Sequence, residues 1–282
     1  MASVPIPDPA PADVLDWLGV EPADRADCAH LLAGEPDPSV VGILEELGRR
    51  LGSDAEQGGG HVNDELAWVE GYLRFAPTII RWHLQRGIPE DISRATLADF
   101  GRNLGINRRV HGRFGLDAWP WLSSHFAGQI HQLGRLQYLL HRSSDAIPGV
   151  KDGEWVLGIH IPEAGSLAPN AVARSLAAAR PFFRQYFPDQ PVQTANCASW
   201  LLDPYLGSHL DADSNIVRFA RLFTPYGDPV DTPSDAVYFT FRTRSMEGLD
   251  TLPRRSSLQR VVLERIEAGG CWQLGHGCLR LP

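Results

Sequence analysis

The sequence predicts an α/β (α+β) chain, with a helical N-terminal domain over residues 1–118 followed by a mixed-sheet domain over residues 119–282. Three observations lead there. Up to about residue 115, apolar side chains recur at steps of three and four, the spacing of one helix face. From Trp155 to Pro204 the chain reads strand, glycine turn, helix, strand. Beyond that, strands and helices go on alternating, as they do around a single sheet.

The elements follow in order. The proline-rich first eight or so residues read as disordered or extended. Asp37 before Pro38 reads as an N-cap with proline at the first helical position. Behind it Val40, Leu44, Leu47 and Leu51 give a helix over 38–51. SDAEQGGG (53–60) reads as a loop. From Glu65 to Arg86 the helical spacing returns, with Pro77 expected to kink or split the helix. Leu97, Phe100 and Leu104 mark another helix, closed by Gly105.

In 119–142 the second half, LGRLQYLLHR, reads as a strand. Trp155–Pro162 is the next strand, 169–187 a helix and Val192–Leu202 a strand. Ser214 reads as the cap of a helix carrying Ile216, Phe219 and Phe223. AVYFTFR (236–242) alternates Val237, Phe239 and Phe241 against Tyr238, Thr240 and Arg242, which predicts a half-buried strand. SSLQRVVLERIEAGG is a capped helix with a glycine stop, and CWQLGHGCLRL a bulged strand or small hairpin.

Composition narrows the function. A formal charge of −8 argues against nucleic acid as the main partner, which would ask for a basic face. No apolar run approaches the ~18 residues that would span a membrane. Cys28, Cys197, Cys271 and Cys278 form no CxxC pair and read as reduced thiols. With no secretory signal at the N-terminus, the expected location is cytoplasmic.

The stretch from Trp155 to Pro204 bears the chemistry. A strand that ends in a small-residue turn and feeds a helix offers unpaired backbone N–H groups and the positive end of a dipole to an anion. The element order, and the blocks IHIPEAGSL, SWLLDP, SNIVRF and SLQRVVLERIEAGG, resemble a family of two-domain actinobacterial acyltransferase-domain proteins. In these a helical N-terminal domain precedes a GNAT-like C-terminal domain. The resemblance implies an acyl-CoA-dependent acyltransferase, with an amine attacking the thioester directly and no metal required. The partners so implied are acyl-CoA and a small-molecule or peptide amine. Pantetheine would lie between strands 155–162 and 192–202, along Ile159 and Ile161, and the pyrophosphate would meet Gly165, Ser166 and Leu167. The turn departs from the family pattern Q/R-x-x-G-x-G/A, because it reads Pro162-Glu163-Ala164-Gly165-Ser166-Leu167.

Acyl transfer to an amine needs a base, an oxyanion donor and a proton for the leaving thiolate. His160, at the strand end, is a candidate base, since an unperturbed imidazole titrates near pH ~6.5. Glu163 is the alternative base. Ser199 and Asp203 lie at the end of the second strand, where open sheets place ligands, and Asp203 could equally cap a turn. Tyr205 is a candidate acid for the thiolate. Asn215 either binds the ligand or caps its helix. Cys197 could carry an acyl group, or be a buried thiol without a role. Arg218 and Arg221 could clamp a phosphate, or lie on a solvated face. Two other readings compete. His209, Asp211 and His276 could form the facial triad of a non-haem iron oxygenase, or the domain could be a non-catalytic binding or regulatory module that kept the fold.

Overall fold

The computed structural model describes residues 11–53, 64–144, 147–243 and 245–282. The N-terminal stretch read as disordered or extended and most of the 53–60 loop lie outside the described residues. The chain divides into two compact units, one of residues 1–133 with 137–139 and one of 134–136 with 140–282.

The first unit is helical: α1 (Pro11–Trp17), α2 (Pro22–Leu32), α3 (Pro38–Arg50), α4 (Glu65–Gln85), α5 (Glu90–Leu97), α6 (Asp99–His111) and α7 (Trp119–Phe126). Asp37 caps α3 as expected, accepting from the N–H groups of Ser39 and Val40. Asp64 caps α4 in the same way. α4 runs through Pro77 as one helix. Proline removes a hydrogen bond there and crowds the preceding turn, but Tyr72, Leu73 and Ala76 before it and Ile79, Ile80 and His83 after it are all buried. Tertiary packing on both sides thus holds the helix together. α6 does not stop at Gly105. It ends at Gly112, whose φ of 68° supplies the left-handed cap that a helix stop requires. The core gathers on α4, where Trp68 stacks on Trp119 at 4.5 Å and the Tyr72 hydroxyl donates to the Trp119 carbonyl at 2.6 Å.

The strands are β1 (Ile130–Leu133), β2 (Leu136–Arg142), β3 (Trp155–His160), β4 (Thr194–Ser199), β5 (Thr224–Pro225), β6 (Val230–Asp231) and β7 (Gln273–Arg280). They form a mixed seven-stranded sheet in the order β1-β2-β3-β4-β7-β5, with β6 also on β7. β3 and β4 run parallel and β7 antiparallel to β4. The parallel pair requires a crossover, supplied by α8 (Pro169–Tyr186). The expected strand 192–202 is shorter. Ser199 accepts from Leu201 N–H and turns the chain into a 3₁₀ helix at Trp200–Leu202. α9 (Pro204–His209), α10 (Asn215–Ala220), α11 (Pro233–Phe241) and α12 (Ser257–Glu267) complete the second unit.

α11 corrects the strand expected at 236–242. Pro233 opens it at the first helical position, Asp235 sits in its first turn, and Ala236 and Val237 are its buried residues. Consecutive buried positions do not fit a two-residue alternation, and Phe239 is half exposed. The aromatic and β-branched composition favoured a strand, and packing against α12 overrode it. The C-terminal segment is a single strand with neighbours on both edges, not a hairpin. Among the described residues no helix is long and apolar enough to cross a membrane.

The helical unit buries His83 and His131 completely, with ring centroids 5.4 Å apart. His83 Nδ1 lies 2.7 Å from Ser93 Oγ. Burial, helped by Arg86 and His125, pushes His83 down to about 3, and burial holds His131 well below its usual range. Both rings are neutral in the fold and take up protons on unfolding below the free value of about 6.5. Stability therefore falls as pH drops below about 6.5 and levels off above it. His83 alone should account for about 2 kcal/mol between pH 7.5 and pH 5. Denaturant unfolding at the two pH values checks this, with a smaller difference expected for His83→Gln; equal wild-type stability at both would contradict it.

Candidate active site

Side chains alternate between the faces of a strand, so register sorts the residues of this sheet. Leu157 stands beside Ala195 and Gly158 beside Asn196 in the β3–β4 ladder, and among the described residues the register ends there. Ile159 and His160 on β3 have no registered partner on β4. On its other edge β4 is paired throughout, from Thr194 opposite Arg280 to Ser199 opposite Gly275. The registered pairing of the two parallel strands thus ends at Gly158, two residues before β3 ends and three before β4 ends.

His160, two residues beyond Gly158, lies on the face that carries Asn196 and Ala198 of β4 and His276 of β7, which is registered opposite Ala198. His160 is half-buried. Two further residues join this face. His141 Nε2 on β2 lies 3.2 Å from Oδ1 of Asn196, the residue registered beside Gly158 of β3. The Tyr226 ring lies 5.8 Å from that of His276. Sequence reasoning missed His141, Asn196 and Tyr226, and saw His276 only as a metal ligand. The usable signal was the glycine at 158, which lets side chains of β2 and β4 meet over β3.

The turn after β3 is held from several sides. Gly165 has φ 75°, a conformation that requires glycine although open space surrounds its α-carbon. Arg135, in the turn between β1 and β2, donates to three backbone carbonyls: Nε to Ser166 at 3.0 Å, Nη1 to Pro162 at 3.1 Å and Nη2 to Gly165 at 3.0 Å. Asn215 Nδ2 donates to Ser166 Oγ at 2.7 Å. The structure thus brings Asn215 to the turn, while Ser214 caps α10. Glu163 pairs with Arg242, which neutralises the acidic residue of the turn. Ile159 is buried and Ile161 half-buried between strand and turn. No side chain caps α8, and Pro169 brings no N–H to its first turn.

Ser199, Asp203 and Tyr205 are placed elsewhere. Ser199 shares the opposite face with Cys197 and caps the 3₁₀ helix. Asp203 is buried, and its carboxylate accepts from Tyr205 N–H at 2.9 Å, Arg265 Nη1 at 2.6 Å and Gln273 N–H at 2.9 Å. Tyr205 packs its ring on His209, with the Arg265 guanidinium 4.4 Å from its centroid.

Burial pushes the Cys197 thiol up to about 12, so it stays protonated near neutral pH, on the face away from His160. That corrects the acyl-carrier reading. Arg218 pairs with Asp213 at 2.8 Å, and Arg221 donates to the Ala212 carbonyl at 3.1 Å, so neither is poised as a phosphate clamp. The proposed iron triad is not assembled: His209 Nδ1 bonds the Tyr205 carbonyl and Asp211 accepts from Asp213 N–H. Among the described residues no three His, Cys, Asp or Glu side chains are grouped to hold a metal ion.

Comparisons with known proteins identify the two parts of the chain. Residues 10–128 match the N-acyltransferase N-terminal domain, and residues 130–279 match the GNAT-like C-terminal domain. Among solved structures, an acyltransferase in complex with decanoyl-CoA is 33% identical, covering 99% of this chain and 91% of that one, with a TM-score of 0.86. An acyltransferase in complex with decanoyl-CoA and teicoplanin is likewise 33% identical, covering 100% and 91%, with a TM-score of 0.82. A third, with CoA and 10C-teicoplanin, is 32% identical over 100% and 91%, with a TM-score of 0.81. One curated relative, a glutamyl-tRNA(Gln) amidotransferase component of Methanothermobacter thermautotrophicus, is 38% identical over 53 residues. That match spans 19% of this chain and only 12% of the relative.

Replacing Asp203 by alanine would leave the Arg265 guanidinium, only 14% exposed, without its carboxylate. Breaking such a buried pair should cost about 3 kcal/mol or more of stability, read as a lower denaturant midpoint. A midpoint equal to wild type would show that the three-bond cluster contributes little.

Proposed function

Because this chain belongs to the family with a GNAT-like C-terminal domain, here behind an N-acyltransferase N-terminal domain, we propose that it moves an acyl group from coenzyme A to an amine. The chain is an acyl-CoA-dependent acyltransferase. The observation that carries the reading is the end of β3–β4 pairing at Gly158, with His160 two residues on and the phosphate turn directly behind. Octanoyl and decanoyl groups, with teicoplanin as acceptor, are the first to try, since the similar acyltransferases are bound to octanoyl-CoA, decanoyl-CoA and teicoplanin.

His160 takes the proton from the attacking amine. Backbone N–H groups at the free end of β3 hold the carbonyl oxygen as it gains charge. The nitrogen–acyl bond forms, the carbon–sulfur bond breaks, and the imidazolium returns its proton to the departing thiolate. The N–H groups of Ser166 and Leu167 meet the diphosphate, with Gly165 and Asn215 shaping the turn. We give the base role to His160 rather than Glu163, whose carboxylate is committed to Arg242. Asp203 and Ser199 act as caps, and Tyr205 as a packing surface.

Two measurements test this. A ligand that binds only the folded state at 100 times its Kd adds about 2.7 kcal/mol of stability, so decanoyl-CoA should raise Tm clearly. With an amine acceptor, release of free CoA thiol should follow, and His160→Ala should lower kcat by about 10²- to 10⁴-fold. No Tm shift with any acyl-CoA would overturn the cofactor, and an unchanged kcat in His160→Ala would overturn the base.

A further inference from the structure

The phosphate turn lacks the glycine pattern that usually frees its backbone, and this chain meets the same demand from outside the turn. We propose that Arg135 is a positioning residue for the diphosphate of coenzyme A, turning the peptide planes of the 162–167 loop so that their N–H groups face the ligand.

A trans peptide unit is planar, with its C=O and the next residue's N–H on opposite sides. The carbonyls of Pro162, Gly165 and Ser166 converge on one guanidinium through its three nitrogens. The N–H groups of Glu163, Ser166 and Leu167, the other halves of those units, are therefore presented on the far side of the loop. Among the described residues no group accepts from Ser166 N–H or Leu167 N–H. Two adjacent donors aimed the same way form a concave anion site, and it adjoins the first turn of the 18-residue helix α8, which no side chain caps. Asn215 fixes the Ser166 side chain, and Arg242 cancels the charge of Glu163. Arg135 touches only carbonyls in these three bonds, so it acts through the loop and not on the ligand. A guanidinium is suited to this because its donors are fixed in one plane, whereas a lysine brings a single nitrogen.

The inference rests on acyl-CoA being the donor, and the experiment separates the two. Wild type, Arg135→Ala and Arg135→Lys are assayed with acyl-CoA and with S-acyl-pantetheine, which lacks the diphosphate. Each variant should raise KM for acyl-CoA by about 10- to 100-fold, the loss expected for hydrogen bonds to a charged group. KM for S-acyl-pantetheine and kcat at saturation should stay close to wild type. Arg135→Lys keeps the charge, so its failure to rescue marks orientation and not attraction as the cause. Should neither variant fold, amide signals of wild-type Ser166 and Leu167 are followed by NMR. They should shift with CoA or inorganic pyrophosphate and not with pantetheine. Equal KM increases for both donors, unchanged KM in both variants, or amide signals indifferent to CoA would each overturn the role of Arg135. A wild type that uses no acyl-CoA would instead overturn the donor itself.

Discussion

The short partnership of β3 and β4 is the constraint around which the C-terminal unit is arranged. Backbone groups taken from water must be paired, so a strand can leave its neighbour only if its other edge is secured. β4 meets that condition through β7, which registers against it from Thr194 to Ser199. β7 can lie so close to the chain leaving β4 because it carries glycines there. A β-carbon at Gly275 would sit 2.8 Å from the Leu202 carbonyl oxygen, and one at Gly277 2.7 Å from the Phe223 side chain. The path of the chain leaving β4 thus depends on residues almost eighty positions downstream.

The end of β4 is fixed by a cluster of a different kind. The Asp203 carboxylate takes a cap bond from Tyr205, an ion pair from Arg265 and the backbone N–H of Gln273 at the start of β7. The Arg265 guanidinium lies between Tyr205 and Trp272, 4.4 and 4.6 Å from their ring centroids. Every polar contact of this carboxylate is satisfied inside the protein. A group held this firmly is poorly suited to exchanging protons with a substrate. Its place at the end of a central strand resembles that of a catalytic acid, yet its partners make it a clasp between α9, α12 and β7.

Local signals in the sequence were read correctly where local physics decides. Asp37 before Pro38, Ser214 before Asn215 and Ser256 before its helix all proved to be caps, because a cap needs only its own short side chain and the next few N–H groups. The strand, turn and helix from Trp155 to Tyr186 were legible for the same reason. Segments decided by distant partners were not. Pro77 reads as a break, but buried residues on both sides carry α4 through it. The alternation at 236–242 reads as a strand, but α12 supplies a surface for a helix. Of the candidate site, His160 and the turn could be found in the chain. Asn196 and His276 could be grouped with His160 only once the register of three strands was known, and His141 only through its contact with Asn196.

The glycine-rich phosphate motif and the turn in this chain answer the same physical demand. Backbone N–H groups must point outward, and the carbonyls of the same peptide units must go somewhere. Glycines allow such a backbone by relaxing φ and ψ restrictions. Here only Gly165 has that freedom within the turn. The carbonyls instead receive a partner from another part of the chain, Arg135, which is separated from Gly165 by thirty positions. A conformation imposed by hydrogen bonds tolerates ordinary side chains at the turn itself, as Glu163, Ala164 and Leu167 illustrate. It also moves the informative residue out of the motif, into a two-residue turn that opens with Gly134 at φ 68°. For this turn, the donors available to its carbonyls bear more directly on phosphate binding than the number of glycines within it.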